Sequence, residues 1–220
     1  MPTNAAFPLR SLALAGVTAL TAGAVFGVLA PLLEPVGIPV VHAIHLVLAA
    51  GWSWSALAFC VGLAQESRLR AAVLASVSLM AAVFAYYVTK LEKGKFQLLV
   101  DMKDPAQGTQ VHWAGFLSAT VIWCIAAAVL GPILGLAGNL AWDRGVGGLP
   151  FRVLIPVLAV VETSVRLRFE ASSQGALAGT AWSVTRLVAV AVIAVLVAHV
   201  VIGRRRRSRP AVGAGRRSWP

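Results

Sequence analysis

The stretch VLIPVLAVVETSV, Val153–Val165, decides how the chain is read. It is apolar up to Glu162 and is bracketed by Arg152 and Arg166, so it is either a short membrane span carrying an acid or a segment that fails to cross. An ionisable side chain in hydrocarbon costs ~2.5 kcal/mol or more, and is therefore usually paired, turned to the bundle interior, or functional. Between its two arginines the segment reaches bilayer thickness only if both snorkel to the interfaces. A full span is the first expectation and a re-entrant segment the second.

The rest of the 220-residue chain frames that choice. Its 59% hydrophobic content exceeds the ~45–50% of soluble domains. Apolar runs at residues 11–33, 38–64, 71–89, 111–137, 149–169 and 181–203 are close to the ~20 residues that cross ~30 Å of hydrocarbon as helix. The expected fold is an all-α polytopic membrane bundle of about six transmembrane helices over 1–203, followed by a basic, disordered cytoplasmic tail at 204–220. The first run, longer than a signal-peptide core of ~7–15 residues, reads as an uncleaved span.

Orientation follows from the basic residues. An even number of spans puts both termini on one side, with Arg10, Arg68, Arg70, Arg144, Arg152 and the seven arginines of the tail. The opposite side has Lys90, Lys93, Lys95, Lys103, Arg166 and Arg168, and the excess of twelve over six predicts cytoplasmic termini. Arginine outnumbers lysine and Ala, Val and Gly dominate, which is compatible with a GC-rich bacterial genome and a bacterial cell membrane. The net charge of +11 is concentrated in the tail, where it suits membrane lipid and not nucleic acid. The segment 90–110, with the apolar run Phe96–Val100, is expected to be a short interfacial helix, a lid, or a plain connection.

This topology gathers unusual side chains in the outer half. His45 and Trp52, seven residues apart, share a face of a continuous second helix. Tyr86, Tyr87 and Trp113 stand at the outer ends of spans three and four, Glu162 lies past the middle of span five, and Arg186 is just inside span six. Tyr86, Tyr87 and Trp113 also fit an interfacial aromatic belt. Arg166, at i+4, and Arg186 are the expected partners of Glu162. Cys60 and Cys124 fall inside spans and form no disulfide framework; no metal site and no cofactor is expected. Phosphate-loop, His-Glu-x-x-His and Gly-x-Ser-x-Gly motifs are absent from the sequence.

The segments AFCVGLAQESRLRAAV (Ala58–Val73), Tyr86-Tyr87 and GPILGLAG (Gly131–Gly138), followed by Glu162, resemble an uncharacterised family of small bacterial multi-spanning membrane proteins, a domain of unknown function. That resemblance implies a fold and no activity. In size, span number and embedded acid the chain is also similar to bacterial membrane-bound terpene cyclases, which implies a hydrophobic isoprenoid substrate. Glu162 is then the expected general acid protonating an alkene or epoxide, with His45, Trp52, Tyr86, Tyr87, Trp113 and Arg186 lining the substrate. A small transporter or channel component using the same carboxylate is the alternative, and a non-catalytic membrane scaffold the third.

Overall fold

The computed structural model describes residues 6–34, 37–101, 108–143 and 145–207, with the backbone alone at 6–11 and 204–207. Lys103, Arg144, Arg209, Arg216 and Arg217, used above to orient the chain, lie outside the described residues, as does the tail from 208 to 220. The helices are α1 (Ala6–Leu33), α2 (Pro39–Leu48), α3 (Gly51–Leu63), α4 (Arg68–Glu92), α5 (Trp113–Leu140), α6 (Leu149–Phe169), α7 (Ala171–Gln174) and α8 (Ala176–Arg207). Helix therefore continues through Arg204–Arg207, beyond the boundary expected at Gly203.

The all-α class holds, but six spans are not confirmed. Four helices are long and apolar enough to cross a membrane: α1, α4, α5 and α8. The second run is not one straight helix. It breaks into α2 and α3, bent by 64°, and adds a fifth crossing if the pair counts as one span. The sixth expected span, α6, has 21 residues and is about 30 Å long. Its difficulty is charge, because every 18-residue window in it holds at least three of Arg152, Glu162, Arg166 and Arg168.

Helices α1 and α4 end at one side of the bundle, and α3 and α5 end and α6 begins at the other, as the contacts at the two ends show. At one end Lys93, just after α4, donates from Nζ to the carbonyls of Pro31 (2.8 Å) and Leu32 (3.4 Å), satisfying the end of α1 with a cation where the helix dipole is negative. Beside it Lys95 pairs with Glu34 at 3.0 Å. The hydrogen bond from Lys95 holds the Glu34 carboxyl below its ordinary range. The sign follows: this contribution is present above the ordinary carboxylate range and is lost as pH falls through the lowered value. Both side chains are substantially exposed, so it amounts to less than ~1 kcal/mol. At the opposite end Asn139 Nδ2 donates to the Gln65 carbonyl at 2.6 Å, Arg152 Nε to Ala141 at 3.1 Å, and Trp142 Nε1 to Leu63.

Between α4 and α5 the chain forms a two-stranded antiparallel ribbon in place of the interfacial helix considered above. Strands β1 (Gln97–Leu99) and β2 (Thr109–Val111) pair Gln97 with Val111 and Leu99 with Thr109. Phe96 anchors the ribbon, its ring 5.6 Å from Phe116 and 6.2 Å from Tyr87.

The core lies among α1, α3, α4 and α5, and its buried positions are mostly small: Ala58, Ala71, Ala75, Ser78 and Ala82. Lipid is as apolar as leucine, so helices in a membrane associate through close packing instead of exclusion from water, and small residues permit that approach. Gly27 lies directly on the Ala82 carbonyl of α4, and Gly135 of α5 meets both the Ala71 carbonyl and Gly62 of α3. The pair α6–α8 sits beside this core; α3 bridges to α6, and α2 to α8.

Gly135→Ala is expected to destabilise the protein by about 1–3 kcal/mol through overpacking, whereas Gly16→Ala, with nothing within 4 Å of the added methyl, has no such effect. Thermal unfolding in detergent measures both; equal midpoints for the two variants contradict this account of the core.

Candidate functional site

The bend between α2 and α3 creates two sets of unsatisfied backbone groups inside the bundle. The first amides of α3 have no intrahelical carbonyl, and the last carbonyls of α2 have no intrahelical amide. Ala50, the N-cap of α3, is extended (φ −76°, ψ 142°) and carries no side-chain oxygen to help. Glu162 supplies the cap from α6. Its Oε1 accepts the Gly51 N–H at 2.9 Å and its Oε2 the Trp52 N–H at 2.8 Å. A carboxylate there also meets the positive end of the α3 dipole.

Arg166, one turn along α6, completes the arrangement. Its Nε and Nη2 both lie 3.0 Å from Glu162 Oε1, and its Nη1 reaches Glu170 Oε2 at 3.0 Å. The guanidinium carbon stands 5.8 Å from the centre of the Trp182 ring, and Trp182 is itself buried. Glu162 and Arg166 are only 25% and 28% exposed, so the pair is shielded enough to matter and open enough to be reached. Every contact the Glu162 carboxylate makes is as an acceptor. Next to it, fully buried Thr163 returns its hydroxyl to the Ala159 carbonyl at 2.6 Å and makes no demand on the site.

The other side of the bend is closed as well. The Leu48 carbonyl accepts from Trp54 Nε1 at 3.0 Å and from Ser53 Oγ at 3.1 Å, while Ser53 Oγ also reaches Ala50 O at 2.6 Å. Trp54 then begins a continuous run of aromatic contacts. Its ring lies 5.4 Å from Phe26 and 5.6 Å from Tyr86, Tyr86 lies 5.2 Å from Tyr87, and Phe96 and Phe116 carry the run to Trp113. One tryptophan thus links the charged bend to the aromatic cluster.

The expected site residues are only partly brought together. Glu162 meets Trp52, but through the Trp52 backbone and not its ring. His45 and Trp52 do not share a face, because the helix expected to carry both is broken between them. His45 instead places Nδ1 2.7 Å from the Ala30 carbonyl, and its ring is 6.0 Å from that of His42. Tyr86 and Tyr87 are neighbours, whereas Trp113 is 58% exposed at the far end of the aromatic run. Of the two expected partners of Glu162, Arg166 makes the ion pair. Arg186 is half-buried on α8 with no hydrogen bond or ion pair among the described residues. Gly51, Ser53 and Trp54 are not among the site residues expected from the sequence; a methyl added at Gly51 would sit 3.3 Å from Glu162 Oε2. Among the described residues, no group of three or more His, Cys, Asp or Glu is placed to hold a metal.

No protein-family model matches the chain, and neither curated proteins nor solved structures include a match to it.

Glu162→Ala strands two amides and leaves Arg166 with Glu170 as its one acidic partner among the described residues, and a hydrogen bond to a charged group contributes ~1.5–3 kcal/mol, so this variant is expected to be the least stable at the site. Gly51→Ala, which only pushes the carboxylate back by a few tenths of an ångström, ranks between it and the wild type. Thermal or denaturant unfolding gives the order, and a Glu162→Ala variant as stable as the wild type would remove the cap from the account.

Proposed function

We propose that the chain is a small membrane transporter or channel component in which Glu162 couples binding of a proton or monovalent cation to movement of the broken α2–α3 segment. One observation carries this reading: the acid within the bundle is the cap of a discontinuous helix. Broken helices near mid-membrane are where transporters commonly place their ion sites, using half-helix ends as partial charges. In the described state Arg166 neutralises the carboxylate and α3 is capped. A proton on Glu162, or a cation displacing the guanidinium, weakens the hold on the Gly51 and Trp52 amides and frees the hinge. Glu170 keeps Arg166 paired while this happens.

In this reading α6 completes a sixth pass and both termini are cytoplasmic in a bacterial cell membrane. The start of α6 beside the ends of α3 and α5 supports the sixth pass, and the distribution of basic residues in the sequence supports the orientation. Cysteines introduced at Thr109 and Ser208 are then labelled from opposite faces. Labelling from one face means that α6 does not cross.

Isoprenoid cyclisation, with Glu162 as the acid, is the second reading. The aromatic run through Trp54, Tyr86, Tyr87 and Phe96 favours it, because aromatic faces stabilise carbocations. Against it, Glu162 is engaged as an acceptor by four donors and lines neither of the clefts at the two ends of the bundle.

Proteoliposomes containing the purified chain are expected to dissipate an imposed proton, sodium or potassium gradient, and Glu162→Gln to abolish that flux while the protein still inserts. Absence of flux, together with conversion of a linear polyprenyl epoxide to a cyclic isomer of the same mass, replaces transport with the second reading.

A further inference from the structure

We propose that the cleft between the α5–α6 turn and the C-terminal part of α8 binds the phosphate-bearing headgroup of an anionic phospholipid. The cleft has a volume of about 370 Å³ and is lined by Leu63, Ala141, Trp142, Arg152 and His199. These residues come from places distant in sequence but close in depth. Leu63 ends α3, Ala141 closes α5, Arg152 is in the first turn of α6, and His199 lies near the end of the apolar part of α8. That depth is where spans give way to head groups.

Arg152 is the centre of the argument. Its Nε donates to the Ala141 carbonyl at 3.1 Å and its Nη2 to the carbonyl of Asp143. Both acceptors are neutral, so the guanidinium is oriented without being compensated. The nearby Asp143 carboxylate is turned to the Gly145 N–H at 2.8 Å, and Arg152 makes no ion pair among the described residues. The remaining Nη1 has no hydrogen bond among the described residues and can bind a phosphate oxygen, which a guanidinium recognises well. His199, on the facing helix, is exposed and has no hydrogen bond among the described residues, providing a second polar group from across the cleft.

The rest of the lining separates a lipid from free phosphate. Trp142 is 62% exposed, yet its indole nitrogen is tied to the Leu63 carbonyl, so its ring forms a fixed amphipathic wall of the kind found at membrane interfaces. With Leu63 and Ala141 it offers apolar contact to the glycerol and upper acyl carbons, which inorganic phosphate lacks. The backbone of α8 continues beyond His199 through Arg204–Arg207.

The test uses the full chain in nanodiscs of mixed phosphatidylglycerol and phosphatidylcholine, followed by native mass spectrometry of the retained lipid. Enrichment of phosphatidylglycerol is expected for the wild type, and Arg152→Gln should lower it roughly fivefold, the effect of ~1 kcal/mol per cation near an anionic surface. His199→Gln should lower it as well, and this variant breaks none of the bonds that hold the α5–α6 turn, so it serves if Arg152→Gln fails to fold. Arg68→Gln removes the same formal charge from the same end of the bundle, outside the cleft, and should leave the enrichment unchanged. Equal enrichment in the wild type, Arg152→Gln and His199→Gln overturns the proposal, as does a loss in Arg68→Gln matching that in Arg152→Gln. Displacement of the lipid by excess inorganic phosphate, with phosphate itself retained, overturns the lipid as the ligand.

Discussion

A carboxylate on one helix caps the broken end of another, and much of the molecule's arrangement follows from that contact. Hydrocarbon has no water to satisfy backbone groups, so a bend inside a bundle persists only where protein donors and acceptors close it. Glu162 closes the amide side, while Ser53 and Trp54 close the carbonyl side. Arg166 makes the acid tolerable, Glu170 extends the alternation of charge, and Trp182 covers the guanidinium. Through this contact α6 joins α3 and is held to the core built by α1, α4 and α5.

The same contact explains what could be read from the chain and what could not. The helices α1, α4, α5 and α8 follow runs long enough to span a bilayer, which composition alone reveals. The Glu162–Arg166 pair is legible because i, i+4 spacing places both on one helix face. The break between Ala49 and Gly51 is not legible, since the carboxylate that caps it lies more than a hundred residues away and no proline marks it. Reading that segment as one straight helix makes Trp52 and His45 partners on a common face and leaves Trp54 outside the expected site. The ribbon after α4 was obscured for another reason: two three-residue strands are too short for alternation to register against the charged loop between them.

Charge also explains why α6 is the ambiguous crossing. Its ionic residues exclude it from the set of plainly apolar spans, yet Glu162, Arg166 and Glu170 are mutually satisfied along one face, and Arg152 is anchored to carbonyls at the opposite end. Pairing Glu162 with Arg166 lowers the barrier to membrane insertion at that point of the helix, while Arg152 and Arg168 stand near its two ends, where long side chains reach the interface. The helix that α6 packs against most, α8, is the least buried of the four long apolar helices, so the pair forms a flank beside the glycine-packed core.

The most direct test of the cap is amide hydrogen exchange at Gly51 and Trp52, read at single-residue resolution in nanodiscs. The account predicts that both amides are protected in the wild-type protein and that Glu162→Ala raises their exchange by at least about tenfold, corresponding to ~1.4 kcal/mol, with the amides from Ala56 to Leu63 unchanged. Rapid exchange of both amides in the wild type, or equal protection in the two proteins, would contradict it.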